Sequence, residues 1–204
     1  LVAMAASNAE KFLSDEETRR AQTDAQTLGA VEELGRYLGL EKPPYRMECF
    51  DISHIQGAET VASMVVFEGG MPKKSDYRRF KIKSTEGKPD DFLSMREVTQ
   101  RRYGDLPEEE LPDLIVIDGG KGQLSSALEI IRGAGHADVP VVGLAKQFEL
   151  VFREGESDPV VLPRHSQALY LIERILDEAH RFAITYHRKL RGKRNLVSVL
   201  DHIV

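Results

Sequence analysis

The 204-residue chain has no tryptophan and a single cysteine, Cys49, so it can build neither an internal disulfide nor a zinc knuckle. A lone cysteine is typical of a reducing cytoplasm, where we expect the protein to act. No apolar run approaches the ~18 residues of a membrane span. The start, LVAMAASNAEKF, lacks the pattern of a signal peptide and an initiator methionine, which predicts a fragment of a longer protein. The net charge of −5 argues against a uniformly basic nucleic-acid binder.

The first part of the chain predicts helical structure over residues 1–40. Ser14 begins a capping box, and Thr27 is a second potential cap ahead of apolar residues at positions 28, 31, 34 and 38. Gly39 predicts the end of this helix. The Pro43-Pro44 pair that follows is the strongest breaker in the sequence and predicts a domain boundary.

The rest of the chain predicts an α/β domain with a mixed sheet. Residues 46–53, 60–67 and 77–83 are rich in β-branched and aromatic residues and predict three antiparallel strands, with Gly57 and Gly69-Gly70 at the turns. The apolar runs 113–118 and 139–144 are typical of buried parallel strands, and 148–152 predicts a further strand. Three helices complete the pattern. The first has Pro89 in its first turn and Phe92, Met95 and Val98 on one face; the second covers 124–131; the third opens at Pro163 and Ser166 and turns Leu169, Ile172, Leu176, Ala179 and Ala183 to one side.

Two aspartates lie where a ligand site is expected. Asp51 interrupts the apolar run of the first strand, and Asp118 ends LIVID. Ligands bind outside the carboxyl ends of parallel strands, and two neighbouring carboxylates can share a divalent cation that relieves their repulsion. Either aspartate alone could equally cap a loop or a helix. His180, one turn after Asp177 on the last helix, could ligate a metal or accept a proton, although a helical histidine is more often only an exposed side chain.

Two other motifs have weaker chemical interpretations. The segment GGKGQ (119–123) lacks the spacing of a phosphate-binding P-loop, but Lys121 could contact a phosphate. A nucleophilic Ser53 assisted by His54 is disfavoured because adjacent strand residues point to opposite faces.

Two basic stretches stand out from the acidic background. One hairpin carries Lys73, Lys74, Arg78, Arg79, Lys81 and Lys83, and the last helix carries Arg181, Arg188, Lys189, Arg191, Lys193 and Arg194. Each alone could be a solvated surface, but together they favour phosphate contacts with a nucleic acid.

Taken in order, several motifs between residues 45 and 190 resemble the C-terminal half of the UvrC family. They are CFDISHIQG, YRRFKIK, DDFLSMREVTQRRY, PDLIVIDGGKGQL, VVGLAK, LPRHSQALYLI and DEAHRFAITYHR. The resemblance implies a ribonuclease H-like fold and an endonuclease of bacterial nucleotide excision repair. Such an enzyme uses Mg²⁺ or Mn²⁺ to cut damaged double-stranded DNA on the 5′ side of a lesion, with UvrB as its partner.

The resemblance also implies roles for individual residues. Asp51 and Asp118 correspond to catalytic, metal-binding aspartates and His180 to a catalytic histidine, either as metal ligand or as general base. Asp90 matches a further acidic position linked to activity. Leu176 and His165 depart from the arginine and asparagine usual in the family, which puts local contacts in doubt. Lys73, Arg78, Arg79, Lys81, Lys121, Arg181 and Arg188 are the predicted DNA contacts.

The predicted division of the chain has three parts: a helical segment over 1–41, the endonuclease domain over 42–190, and over 191–204 a linker with the start of a truncated helix-hairpin-helix module. The rival functions are a non-catalytic nucleic-acid scaffold and a phosphate-loop nucleotide hydrolase built on 119–123.

Overall fold

The protein folds around one mixed sheet. The computed structural model describes the backbone of residues 2–55, 59–85, 89–144 and 150–201, and the side chains from 11 to 186 within these ranges except 20, 21, 25 and 55. Within these ranges eight strands form the sheet and four helices flank it. The sequence predicts six of these strands but not the two-residue strands Met71–Pro72 and Val160–Val161. In this described part of the chain, no helix combines the length and the apolar character needed to cross a membrane.

The strands are β1 (Arg46–Ile55), β2 (Glu59–Glu68), β3 (Met71–Pro72), β4 (Arg78–Lys81), β5 (Leu114–Ile117), β6 (Val141–Leu144), β7 (Leu150–Arg153) and β8 (Val160–Val161). The helices are α1 (Val2–Tyr37), α2 (Asp91–Tyr103), α3 (Lys121–Gly133) and α4 (Gln167–Asp201). The sheet order is β3-β2-β1-β5-β6-β7-β8, and β4 also pairs with β2. Strands β1, β5 and β6 are parallel, and the other pairings are antiparallel.

The two faces of the sheet are covered by different helices. Met47 and Cys49 of β1 face one way and pack with α1 and α4, while Phe50 faces the other way and packs with α2 and α3. Both faces of the central strands are therefore buried, which explains why β5 and β6 are apolar throughout rather than alternating.

Helix α1 corrects the prediction that Ser14 and Thr27 begin separate helices. It is continuous from Val2 to Tyr37. The Thr27 hydroxyl bonds back to the carbonyls of Thr23 and Asp24 at 3.1 and 3.0 Å, so it serves the helix interior and not a cap. The predicted end at Gly39 is confirmed, since this residue adopts φ +64° and the Leu40 amide donates to the Gly35 carbonyl at 2.9 Å.

The start of α2 lies later than predicted. Asp90 is the N-cap, its Oδ1 accepting the Leu93 amide at 2.9 Å, so Pro89 precedes the cap and is not in the first turn. Met95 and Val98 are buried as predicted, but Phe92 is 55% exposed. The reason is that the Phe92 ring lies beside Gly122 of α3 and borders a cleft, beyond the end of the core.

The predicted start of α4 and the predicted turn at Gly69-Gly70 are confirmed. Ser166 caps α4, its Oγ accepting the Leu169 amide at 3.1 Å. The face of α4 that includes Leu169, Ile172, Leu176, Ala179 and Ala183 is buried. Gly69 and Gly70 form the two-residue turn between β2 and β3 with positive φ angles of 57° and 81°, which favour glycine. Gly57 and residue 148, where a turn and a strand start were predicted, lie outside the described residues.

Candidate active site

Asp51 is held inside the sheet by β1. It pairs in register with Ser63 of β2, and it lies on the same face as Met47 and Cys49, toward α4. Its side chain is only 9% exposed. The sequence signal that predicted a site, a carboxylate within an apolar strand, therefore corresponds to a buried carboxylate.

Asp118 follows directly after β5, the parallel neighbour of β1. Its backbone amide donates to the Phe50 carbonyl at 2.9 Å, which continues the β1–β5 ladder by one residue and brings Asp118 level with Asp51. The two aspartates therefore meet at the carboxyl edge of the parallel strands, as the topology argument predicts.

His180 comes from α4, which lies across this face of the sheet. Its Nδ1 is 3.5 Å from Asp51 Oδ1, and its Nε2 is 3.3 Å from Asp118 Oδ2. Its side chain is 48% exposed, so solvent and a substrate can reach the imidazole. The buried alanines Ala179 and Ala183 on the same helix allow α4 to approach the sheet closely.

The electrostatics of the two carboxylates are unfavourable without a cation. Burial, and then the charge of Asp118, raise the pKa of Asp51 to about 7, although His180 works in the opposite direction. Burial also raises the pKa of Asp118. Such a pair is stabilised by a positive charge placed between the carboxylates.

The donor set fits a divalent cation. One ligand atom from each of Asp51, Asp118 and His180 can be chosen so that all three lie within 4.8 Å of one another. Two carboxylates and an imidazole suit Mg²⁺ or Mn²⁺, which favour oxygen-rich sites, with Mn²⁺ the more tolerant of nitrogen.

The site opens into a cleft with a volume of about 1120 Å³ whose far wall was not predicted. Asp118 and His180 line one side, and His54 and Asp91 line the other. His54 Nε2 lies 2.6 Å from Asp91 Oδ1, and Gln123 Nε2 donates to Asp91 Oδ2 at 3.1 Å. The motifs DISH and GGKGQ contain two of these residues, but their pairing through Asp91 depends on the fold and has no signal in the sequence.

Asp90 also lines this cleft, and its Oδ1 caps α2. The structure thus gives it a helix-capping contact, while the predicted catalytic role of Asp90 stays a prediction.

The predicted DNA contacts whose side chains the structure describes have partners within the protein. Lys73 pairs with Glu68, Lys81 with Glu59, and Arg181 with Glu178, at 2.8, 2.9 and 2.6 Å. Arg78 donates to the carbonyls of Ser75 and Tyr77, and Arg79 packs against α4. The side chain of Arg188 lies outside the described residues.

The residues behind the rival functions are engaged elsewhere. Lys121 Nζ donates to the Ser157 carbonyl at 2.7 Å. Ser53 Oγ donates to the Val61 carbonyl, and the His54 Nδ1 lies 3.0 Å from Thr60 Oγ1. These contacts disfavour a Ser53–His54 nucleophile.

Leu176 and His165, the two residues that depart from the family pattern, both lie outside the Asp51, Asp118 and His180 cluster. Leu176 is fully buried in the core between α4 and the sheet, and His165 is exposed with its Nδ1 3.3 Å from Tyr170 Oη. Neither contact replaces a member of the Asp51, Asp118 and His180 cluster.

Comparisons with known proteins identify the family of this chain. The family model of the UvrC RNAse H endonuclease domain matches residues 35–184. UvrABC system protein C of Salinibacter ruber is 51% identical over 98% of this chain and 32% of its own length. The protein of the same name from Symbiobacterium thermophilum is 47% identical over 100% of this chain and 37% of its own length. The chain therefore spans about a third of the length of these relatives.

Among solved structures, endonuclease V from Ciona intestinalis in complex with DNA has a TM-score of 0.43 and 15% identity, over 83% of this chain and 98% of that chain. The predicted division at residues 41 and 190 stays a prediction. The mixed parallel and antiparallel sheet is the ribonuclease H-like architecture that the matching family model describes. Because that model covers most of the chain and close relatives align with nearly all of it, the chain belongs to the UvrC RNAse H endonuclease domain family.

Proposed function

We propose that this chain is a divalent-metal-dependent endonuclease that hydrolyses a DNA phosphodiester. Within the UvrABC system it makes the 5′ incision beside a lesion in double-stranded DNA, in the cytoplasm and with UvrB as its partner. The observation that supports the chemistry is the meeting of Asp51, Asp118 and His180 at the edge of the sheet. Membership of the endonuclease domain family supports the substrate.

Mg²⁺ or Mn²⁺ would be held by Asp51 and Asp118. When bound, the cation supplies positive charge that stabilises the negative charge developing on the phosphate and favours deprotonation of the attacking water. The buried Asp51 contributes a fixed ligand because β1 and β2 hold its backbone, and Asp118 contributes a second from the end of β5.

His180 has two possible roles at this position, metal ligand or acceptor of the water's proton. A ligand loses metal affinity when it is replaced, whereas a proton acceptor loses only the rate of the chemical step. The variant His180→Gln distinguishes them: weaker Mn²⁺ binding identifies a ligand, and unchanged Mn²⁺ binding with a lower kcat identifies a base.

The predicted basic contacts would neutralise the negative charge of the phosphate backbone. Exposed ion pairs such as Lys73–Glu68 and Lys81–Glu59 are weak, so a phosphate can replace the carboxylate at little cost. The proposed DNA contacts are Lys73, Arg78, Lys81, Lys121, Arg181 and Arg188.

The test is the incision of a lesioned duplex by the UvrABC assembly containing this chain, with and without Mn²⁺. Asp51→Asn should lower the incision rate at least about 100-fold, because the removed charge stabilises the cation and through it the transition state. DNA affinity should be unchanged, and the exposed Asp138→Asn serves as the control for removing a carboxylate.

Three outcomes contradict the proposal. An Asp51→Asn variant that nicks at the wild-type rate removes the catalytic assignment. If the wild-type protein binds DNA in a salt-dependent way and does not cut it, it is a non-catalytic scaffold. ATP turnover that survives the loss of His180 identifies a nucleotide hydrolase.

A further inference from the structure

The position of His180 is not set by its own short contacts. Its ring nitrogens lie 3.3 and 3.5 Å from the two aspartates, and nearly half of its side chain is exposed. The place of the imidazole therefore depends on where the backbone of α4 lies relative to the sheet.

The segment around β4 holds α4 on both sides of His180. Tyr77 Oη donates to Glu178 Oε1 at 2.9 Å, two residues before the histidine. Arg79 Nη2 donates to the backbone carbonyl of Phe182 at 3.0 Å, two residues after it. Two alternate residues of one segment thus contact α4 at points that bracket His180.

Ring contacts reinforce these hydrogen bonds. The guanidinium carbon of Arg79 lies 3.6 Å from the centroid of the Phe182 ring and 5.2 Å from that of Tyr186. The rings of Tyr77 and Phe182 meet edge to face with centroids 5.1 Å apart. A planar guanidinium can stack and donate at once, which an ammonium group cannot do.

Tyr77 and Arg79 together form a clamp on α4, and this clamp lies in the same part of the sheet as the carboxylate of Asp51. Arg79 of β4 pairs in register with Ser63 of β2, and Ser63 pairs with Asp51 of β1. Arg79, Ser63 and Asp51 therefore form one row across three strands, on the face that α4 covers. A contact between Arg79 and α4 consequently sets the helix at the level of Asp51.

We propose that Tyr77 and Arg79 are positioning residues that hold α4 at Glu178 and Phe182, so that the imidazole of His180 faces Asp51 and Asp118. This role rests on the proposed nuclease function, and it replaces DNA contact as the role of Arg79. Glu178, which accepts the hydrogen bond from Tyr77, also pairs with Arg181 at 2.6 Å, so its negative charge is balanced within α4.

The test compares three variants by incision kinetics in the UvrABC assembly and by the NMR signals of the His180 imidazole in the metal-free chain. Arg79→Lys keeps the charge but loses the planar stack. Tyr77→Phe keeps the ring but loses the hydroxyl. Lys81→Ala removes a positive charge from the same strand without touching α4. His180→Gln assigns the imidazole signals.

We expect Arg79→Lys to lower kcat about tenfold while KM for DNA stays within about twofold, because a small misplacement of a catalytic group affects the chemical step more than binding. The His180 signals should shift in Arg79→Lys and, less strongly, in Tyr77→Phe. Lys81→Ala should raise KM and leave the His180 signals where they are in the wild type.

Unshifted His180 signals in both Arg79→Lys and Tyr77→Phe would overturn the positioning role, as would a loss in Arg79→Lys that appears in KM alone. If Arg79→Lys fails to fold, the isosteric Tyr77→Phe still decides the question. If the wild type makes no incision, the nuclease function fails, but the NMR comparison still tests the clamp.

Discussion

At the scale of single residues, the two aspartates are placed at a cost to the metal-free protein. Asp51 is buried beside Asp118, and this raises its pKa to about 7, far above the ~3.9 of an unfolded chain. The folded protein therefore binds a proton at Asp51 more tightly than the unfolded chain does. Its stability falls as the pH rises through about 7, and it recovers as the pH falls toward the unfolded value.

This argument predicts the effect of Asp51→Asn on stability. At pH 8 and without metal the variant should be more stable than the wild type by about 4 kcal/mol, or about 12 °C in Tm, because position 51 then buries no charge beside Asp118. The difference should shrink toward pH 5, where the wild-type carboxyl is protonated. Thermal melts of both proteins with EDTA at the two pH values measure this, with Asp138→Asn as control. An equal or lower Tm for Asp51→Asn at pH 8 contradicts the argument.

Glu48 is a second buried carboxylate, but unlike Asp51 it is balanced by partners within the protein. Glu48 is fully buried, and Arg102 donates to it from Nε and Nη2 at 3.0 and 2.7 Å, while Tyr103 Oη donates at 2.8 Å. These contacts tie β1 to the end of α2. The carboxylate is satisfied within the protein and needs no cation, which separates it from Asp51 only three residues away.

We therefore predict that Arg102→Met destabilises the fold by about 3 kcal/mol, because buried Glu48 would keep only the longer ion pair with Arg46, at 3.2 Å, to balance its charge. Arg101→Met, which removes the adjacent and more exposed arginine, should cost less than about 1 kcal/mol. Urea unfolding of the two variants gives both values. Similar losses in the two variants would show that the buried network does not stabilise the fold in this way.

At the scale of elements, the apolar runs predicted the buried strands correctly, whereas the predicted cap at Thr27 was wrong. The apolar runs of β5 and β6 predicted buried strands because few other structures accommodate such runs in a polar chain. The hydroxyl of Thr27 predicted a cap, but threonine can also bond to a carbonyl one turn earlier, and packing of Ala30, Val31 and Leu34 keeps α1 continuous there. Tertiary contacts decided between two local alternatives.

The close packing of β6 against the loop after Asp118 allows an element-level prediction. A Cβ at Gly143 would lie 2.8 Å from the Gly119 carbonyl oxygen and 3.1 Å from Leu124 Cβ. Gly143→Ala should therefore push the Asp118 loop outward, cost about 1 to 3 kcal/mol in stability and lower the incision rate.

The matched control is Gly133→Ala in α3, where no described atom outside the local helix backbone lies within 4 Å of the added carbon. Unfolding by urea and incision kinetics are measured for both variants. If Gly143→Ala and Gly133→Ala behave alike, the loop tolerates the added methyl and β6 does not fix the position of Asp118.

At the scale of the whole molecule, the site combines residues from distant parts of the chain. The predicted order of strands and helices, combined with the rule that ligands bind at the carboxyl ends of parallel strands, was enough to predict that Asp51 and Asp118 lie close together. The sequence alone left His180 open between a site residue and an ordinary surface histidine, and the family resemblance favoured the site residue. The His54–Asp91–Gln123 wall and the Tyr77–Arg79 clamp depend on the angles between layers, which no local pattern encodes.

The central claim is that Asp51, Asp118 and His180 together hold one site for a divalent cation, and anomalous diffraction from a crystal soaked in Mn²⁺ tests it most directly. The account predicts an anomalous peak about 2.2 Å from a carboxylate oxygen of each aspartate, with the His180 imidazole facing the same pocket. No peak at this edge of the sheet, or a peak held by other residues while the three side chains point apart, would contradict it.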